Sequence, residues 1–266
     1  MPLRIATWNI NSVRLRIDLI GRLVDEHAPD ILCLQEIKCS TDNFPARAFR
    51  DLGFQHIAVN GQKGYHGVAI ASRVPFVETW QEGFCDKNDA RHIAARFAHG
   101  GAEFDLHDFY IPAGGDEPDP EINDKFAHKL SFLDEFRGFL ETHGGDRRAL
   151  VVGDLNVAPL EHDVWSHRQL LKVVSHTPVE TEKLEEARRA GGLVDVMRRF
   201  VPPQEKLYTW WSYRAKDWKK ADRGRRLDHV WATPALDSSI SAIEVLTDAR
   251  GWDRPSDHVP VIATLA

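Results

Sequence analysis

Six times along this chain a short apolar run abuts a polar side chain able to bind or react, and that pattern limits the folds open to it. Leu3–Trp8 meets Asn9, Ile31–Gln35 meets Glu36, and the run ending at Phe109 meets Tyr110. Leu150–Val152 leads through Gly153 to Asp154 and Asn156, Leu227 meets Asp228, and Asp257 with His258 adjoins the run from Val259. Runs this short read as strands rather than helices. Ends of strands are where α/β proteins tend to place ligand-binding and catalytic groups, because the sheet holds them rigidly toward a cleft.

The remaining elements fill in around those strands. Val13, Ile17, Ile20 and Val24 recur at helical spacing with Ser12 as an expected N-cap, until Pro29-Asp30 breaks the pattern. A second helix is expected from Ala46 to Leu52, stopping near Gly53. Strands are expected at Gln55–Asn60, Val68–Ser72, Phe76–Gln81, His92–Ala98 and Glu103–Tyr110, most of them separated by Gly, Asn or Asp. Asp124–His143 is the longest helical pattern, with Phe126, Leu130, Leu133 and Phe136 as its apolar stripe. A further helix is expected from Glu180 to Ala190, and strands at Leu227–Ala232, Ile240–Leu246 and Val259–Thr264. Ala113–Lys125, rich in Gly, Pro and Asp, is the nearest thing to a flexible insert. No repeat or long linker interrupts the chain. A single α/β domain over residues 1–266, with two packed sheets and outer helices, is the simplest architecture.

The formal net charge of −6 argues against nucleic-acid binding through the overall field, while leaving room for a local basic groove. One such region exists. Arg214, Lys216, Lys219, Lys220, Arg223, Arg225 and Arg226 stand against only Asp217 and Asp222, interleaved or flanked by Tyr208, Trp210, Trp211, Tyr213 and Trp218. That mixture suits a surface that contacts phosphates and stacks on nucleotides; a solvated loop and core-packed rings are the plainer reading. Cys33, Cys39 and Cys85 lack metal-ligand spacing, and Cys33 within Ile31–Leu34 reads as a buried free thiol, which suits a reducing cytoplasm. No secretory signal, membrane span or obligate protein partner is expected, and a monomer is the default.

If the strand ends converge, they offer carboxylates and amides to a hard divalent cation, plus an imidazole and a phenol. Magnesium prefers oxygen ligands, and such a set suits hydrolysis of a phosphodiester. Taken singly, each element has a plainer reading. Glu36 can be an exposed strand end, Gly153–Asn156 a turn, Ser256–His258 a capped loop and Tyr110 a packed aromatic. Those readings do not account for the order of the motifs along one chain.

Thr7-Trp8-Asn9-Ile10-Asn11, Leu34-Gln35-Glu36-Ile37-Lys38, Gly64-Tyr65-His66-Gly67, Tyr110-Ile111-Pro112, Gly153-Asp154-Leu155-Asn156, Arg226-Leu227-Asp228 and Pro255-Ser256-Asp257-His258 resemble, in succession, the motifs of exonuclease III-type abasic-site endonucleases. The resemblance runs from residue 7 to residue 260. It implies the four-layer α/β sandwich of the deoxyribonuclease I-like superfamily. It also implies Glu36 as main metal ligand with Asn9 and Asp257 assisting, and Mg2+ as the ion, with Mn2+ as a substitute. Asp154 would activate water with Asn156 beside it, His258 held by Asp228 would contact a phosphate oxygen, and Tyr110 would reach the phosphate or the leaving oxygen. Asn11, Lys38, Tyr65, His66, Arg91, Lys216 and Arg225 are the expected DNA contacts, with Trp210 at the abasic pocket. The expected substrate is duplex DNA carrying abasic sites or blocked 3′ ends, cut 5′ to the abasic site, with 3′→5′ exonuclease or 3′-end-cleaning activity implied beside it. A lipid or inositol phosphodiesterase, a non-specific DNase and a silent DNA-binding module are the rivals. One departure stands out: Ala113-Gly114-Gly115 follows Pro112 where the family often carries a polar amide before Gly, and the acidic Asp116-Glu117-Pro118-Asp119 comes next.

Overall fold

A computed structural model describes residues 2–215 and 217–266, so the expected DNA contact Lys216 lies outside the described residues. Strands β1 (Leu3–Asn9), β2 (Ile31–Gln35), β3 (His56–Asn60) and β4 (Val68–Ser72) come first. Then follow β5 (Glu78–Trp80), β6 (His92–His99), β7 (Ala102–Tyr110), β8 (Ala149–Asp154), β9 (Val194–Asp195), β10 (Trp210–Trp211), β11 (Gly224–Arg225) and β12 (Asp228–Ala232). The last two are β13 (Ile240–Val245) and β14 (Val261–Leu265). They form two six-stranded mixed sheets, ordered β13-β14-β1-β2-β4-β3 and β5-β6-β7-β8-β12-β9, and β10 pairs with β11 in a separate ribbon.

Alternation along the strands builds the layers. Ile5, Ile31, Cys33 and Ile70 of the first sheet pack in one core with Ile93, Phe97, Leu106, Leu150 and Val230 of the second. Their neighbours point outward: Ala6, Trp8, Leu32 and Leu34 lie under Ile20 and Leu23 of α1 (Ile17–His27) and Phe49 of α2 (Ala46–Asp51). On the far side Phe109, Val151 and Trp231 lie under Phe132, Leu133 and Phe136 of α3 (Asp124–His143). The expected four layers, helix on sheet on sheet on helix, are present. Central strands are covered on both faces, which is why β2 and β8 read as continuous apolar runs.

Two expectations fail locally. Ser12 does not cap α1, which begins at Ile17 with Arg16 at the cap position. Asn11 and Ser12 instead take left-handed backbone (φ 47° and 86°), and Ser12 N and Val13 N donate to Glu36 O (2.8 Å) and Ile37 O (3.2 Å). The chain after β1 is thus tied to the loop after β2 before any helix can start. On α3, Leu130 is only half-buried and Lys129 is fully buried in its stead. Residues 113–123 contain no helix or strand, but they are anchored. Asn123 caps α3 and donates Nδ2 to Gly114 O (2.9 Å).

Candidate active site

Strand register gathers the polar ends. β1 and β2 are parallel with Asn9 opposite Gln35, so Asn9 and Glu36 emerge at one edge of the first sheet. In the second, Tyr110 of β7 lies opposite Asp154 of β8, and Asp228 of antiparallel β12 faces Asp154 from the other side. Gly153 makes the β7–β8 approach possible: its φ is 129°, and a Cβ there would stand 2.0 Å from Phe109 O. Glu36 and Asn156 sit at left-handed φ of 50° and 54°, a strain that recurs at functional sites.

One amide joins the two sheets. Asn9 Nδ2 donates to Glu36 Oε1 (2.9 Å) and to Asp154 Oδ2 (2.8 Å). Tyr110 OH donates to the same Glu36 oxygen (2.9 Å), while Lys38 Nζ lies 2.7 Å from Glu36 Oε2 and 2.7 Å from Asn11 Oδ1. Asn156 donates its backbone N to Asp154 Oδ1 (3.0 Å) and Nδ2 to Asp154 Oδ2 (3.2 Å). His258 lies between two carboxylates, Nδ1 at 2.8 Å from Asp228 Oδ2 and Nε2 at 3.6 Å from Asp154 Oδ2. Asp257 accepts from Asn11 Nδ2 (3.0 Å) and Trp210 Nε1 (3.0 Å).

The protonation states follow from these neighbours. Burial disfavours the His258 imidazolium, but Asp228 and then Asp154 outweigh it and raise its pKa, so the ring is charged at neutral pH. Burial also raises the Asp154 carboxyl, with Asp228 and Glu36 adding to it against His258 and Asn9. For Glu36, burial is overcome by the Lys38 ammonium and the Asn9 amide, which hold the carboxyl below its usual range. Burial of Asp257 is likewise overcome by His258, Asn11 and Trp210.

Among the described residues, Asp154, Asp228 and His258 place ligand-type atoms within 4.8 Å of one another. His258 Nδ1 is already engaged by Asp228 and its Nε2 faces Asp154, so this trio reads first as an ion-paired cluster. Glu36 and Asp257, both held ionised and both lining the cleft, fit a hard cation better, with the Asn9 carboxamide beside Glu36. Lys38 already places a positive charge 2.7 Å from Glu36 Oε2, which an incoming cation would share or displace.

The cleft in front of these groups encloses about 830 Å³ and is lined by Glu36, Asn156, Trp165, Trp210, Arg225 and His258, among others. Arg225 lies 5.2 Å over the Trp210 ring and donates to Val174 O and Ser175 Oγ; Arg223 lies 4.7 Å over Trp165. Tyr65 is 71% exposed, its ring 6.1 Å from that of His66, which in turn lies 6.0 Å from Tyr110. Next to it His66 contacts Arg91, whose buried guanidinium donates to Tyr110 O (3.2 Å) and Asp89 (3.2 Å) behind the site. Arg226 belongs to the basic run by sequence but not by position: it is fully buried, paired with Asp163 and Asp195. Tyr208 and Trp211 are core rings. Trp165 was not singled out by sequence, since its short loop carries no periodic signal. A second hollow of about 850 Å³ lies along α5 (Pro178–Ala190, after α4 at His167–Leu170) and holds none of these candidate groups.

The chain belongs to the Endonuclease/Exonuclease/phosphatase family, whose sequence model matches residues 6–258, and within that family it is of the exonuclease III type. It is 27% identical to exodeoxyribonuclease III of Haemophilus influenzae over 98% of this chain and 99% of that one. An AP endonuclease from Archaeoglobus fulgidus superposes with a TM-score of 0.89 at 32% identity, covering 99% of each chain. The 3′ phosphatase NExo from Neisseria, bound to product DNA hairpin, gives 0.89 at 29% identity over 99% of each chain.

Proposed function

We propose that this protein is a DNA-repair phosphodiesterase that hydrolyses the backbone 5′ to abasic sites in duplex DNA and also trims blocked 3′ ends. The observation that carries the reading is the Asn9 amide bonded at once to Glu36 and Asp154, with the His258–Asp228 pair at the same edge. Likeness to an AP endonuclease and to a 3′ phosphatase supports both activities.

A magnesium ion bound at Glu36, with Asn9 and Asp257 in support, would neutralise phosphate charge and ease departure of the 3′ oxygen. Asp154, its pKa raised, is the stronger base for it and takes a proton from the attacking water, while Asn156 holds the carboxylate in aim. The His258 imidazolium, oriented by Asp228, donates to a non-bridging oxygen as charge builds on phosphorus. Tyr110 OH, next to Glu36, reaches the same phosphate. Hydrolysis leaves a 3′-hydroxyl and a 5′-deoxyribose phosphate. Trp210 and Arg225 form the wall against which a baseless sugar packs, since extruding it breaks little stacking. The three free cysteines suit work in a reducing cytoplasm.

The test is a labelled duplex carrying one tetrahydrofuran abasic analogue, with an undamaged duplex and a 3′-phosphate duplex beside it, with magnesium or chelator. A single metal-dependent nick 5′ to the analogue is the expected result. Equal degradation of damaged and undamaged duplexes would make the protein a non-specific nuclease, and binding without cleavage a silent module.

A further inference from the structure

Lys129 projects from α3 into a fully buried position behind the catalytic loop, and nothing in the hydrolysis described above employs it. Its ammonium lies 2.5 Å from Glu180 Oε1, 2.8 Å from Asn156 O and 3.4 Å from Ala113 O, which uses all three of its protons. Its stem fills a gap in which Gly114 is obligatory: a Cβ there would stand 2.8 Å from Lys129 Cδ and 3.0 Å from Val174. Glu180, also fully buried, accepts from Ser175 N through both oxygens (2.9 and 3.0 Å) and from Thr177 N (3.2 Å) and Oγ1 (2.6 Å). Ser175 in turn receives Arg225 on its hydroxyl (2.7 Å).

One ion pair therefore holds three loops of the cleft: the glycine segment at residues 113–115, the turn carrying Asn156, and residues 174–177 that hold Arg225. Two of the anchored residues, Asn156 (φ 54°) and Ser175 (φ 85°), are in left-handed backbone, so something outside them must keep them there. A buried ion pair is a poor source of stability, because desolvating both charges cancels most of their attraction, and apolar replacements are often as stable or more so. Its presence at the centre of three cleft loops calls for another use.

We propose that Lys129 and Glu180 are positioning residues for the hydrolysis, fixing the Asn156 turn, and through it the Asp154 carboxylate, relative to the Arg225 wall. This rests on the reading that Asp154 and Asn156 carry the reaction. A misplacement of about 1 Å in such a site costs on the order of 100-fold in rate.

The experiment compares wild type with Lys129→Met, Glu180→Gln and the double variant Lys129→Met/Glu180→Met. Single-turnover cleavage of the abasic-analogue duplex, the dissociation constant for that duplex with calcium in place of magnesium, and the thermal midpoint are measured for each. Both single variants should lose on the order of 100-fold in cleavage rate, with a far smaller loss of DNA affinity as residues 174–177 loosen around Arg225. The double variant should regain the wild-type midpoint yet stay slow, which a stabilising role alone does not give. A double variant with both midpoint and rate at wild-type level overturns the proposal, as do single variants whose affinity falls in step with their rate. If the double variant does not accumulate as folded protein, Glu180→Gln assayed well below its own midpoint decides: wild-type rate overturns, a slow rate with a far smaller loss of affinity supports. Failure of the wild type to cleave DNA would instead sink the functional reading.

Discussion

His258 Nδ1 and Asp228 Oδ2 lie 2.8 Å apart, both buried, one on the segment entering the first sheet and the other opening β12 of the second. The carboxylate fixes the ring so that Nε2 looks toward Asp154 and the cleft. Asp228→Asn keeps the volume but removes the charge that sustains the imidazolium. Cleavage under saturating DNA should fall about 10²–10³-fold, the usual cost of losing a charge-stabilising donor. Variant rates within a few fold of wild type would remove His258 from the reaction.

Asp154→Asn tests the base. Turnover should drop by about 10⁴-fold, the upper end for general-base catalysis, while duplex affinity holds or tightens because a negative charge facing phosphate is gone. Equilibrium binding and single-turnover cleavage on the same duplex separate the two effects.

Removing metal should stop cleavage, and added magnesium should restore it. Glu36→Gln should move the magnesium requirement to higher concentration, since one anionic oxygen is lost where Lys38 now sits 2.7 Å away. An unchanged magnesium titration would place the ion elsewhere, with the Asp154–Asp228–His258 trio as the next choice.

Stability should fall in mild acid. Burial drives His107 down to about 3 and His92 well below its ordinary value, each ring packed against the other at Nε2–Nδ1 3.2 Å. Below pH 6.5 the unfolded chain protonates both imidazoles while the folded one does not, so folding free energy is lost as pH drops from 6.5 toward about 3. At pH 5 the His107 ring accounts for roughly 2 kcal/mol, and His92 acts in the same direction. His258 works in the opposite window: its pKa is raised to about 10, so its contribution fades as pH climbs from 6.5 toward 10. Urea midpoints at pH 7.5 and pH 5 should differ in wild type and differ less in His107→Phe; equal shifts in both proteins would contradict this.

Arg225 should matter through charge. Arg225→Ala should reduce the slope of log affinity against log salt by about one, and lower cleavage of the abasic duplex more than that of undamaged DNA because Trp210 loses its cover.

Much of this site could be read from sequence because its chemistry sits where strands stop. Asn9, Glu36, Tyr110, Asp154 and Asp228 each border an apolar run, and parallel or antiparallel register alone brings them together. What escaped was whatever depends on partners distant in sequence. Periodicity puts Leu130 on the apolar stripe of α3, yet Lys129 is the buried neighbour, because a lysine inside an apolar face makes sense only with Glu180 of α5 beside it. Arg226 sat in a basic run that looked solvent-facing, and only Asp163 and Asp195 explain its burial. Two-residue strands such as β10 and β11 carry no period to detect.

The strand order has a consequence for how the protein comes into being. The chain builds four strands of the first sheet, leaves to lay down the whole of the second, and returns only with β13 and β14, the latter pairing with β1 from Leu3↔Leu265 to Thr7↔Val261. Asp257 and His258 arrive on that returning segment. On a ribosome, then, Asn9 and Glu36 at the ends of the opening strands are made long before the strand that completes their sheet.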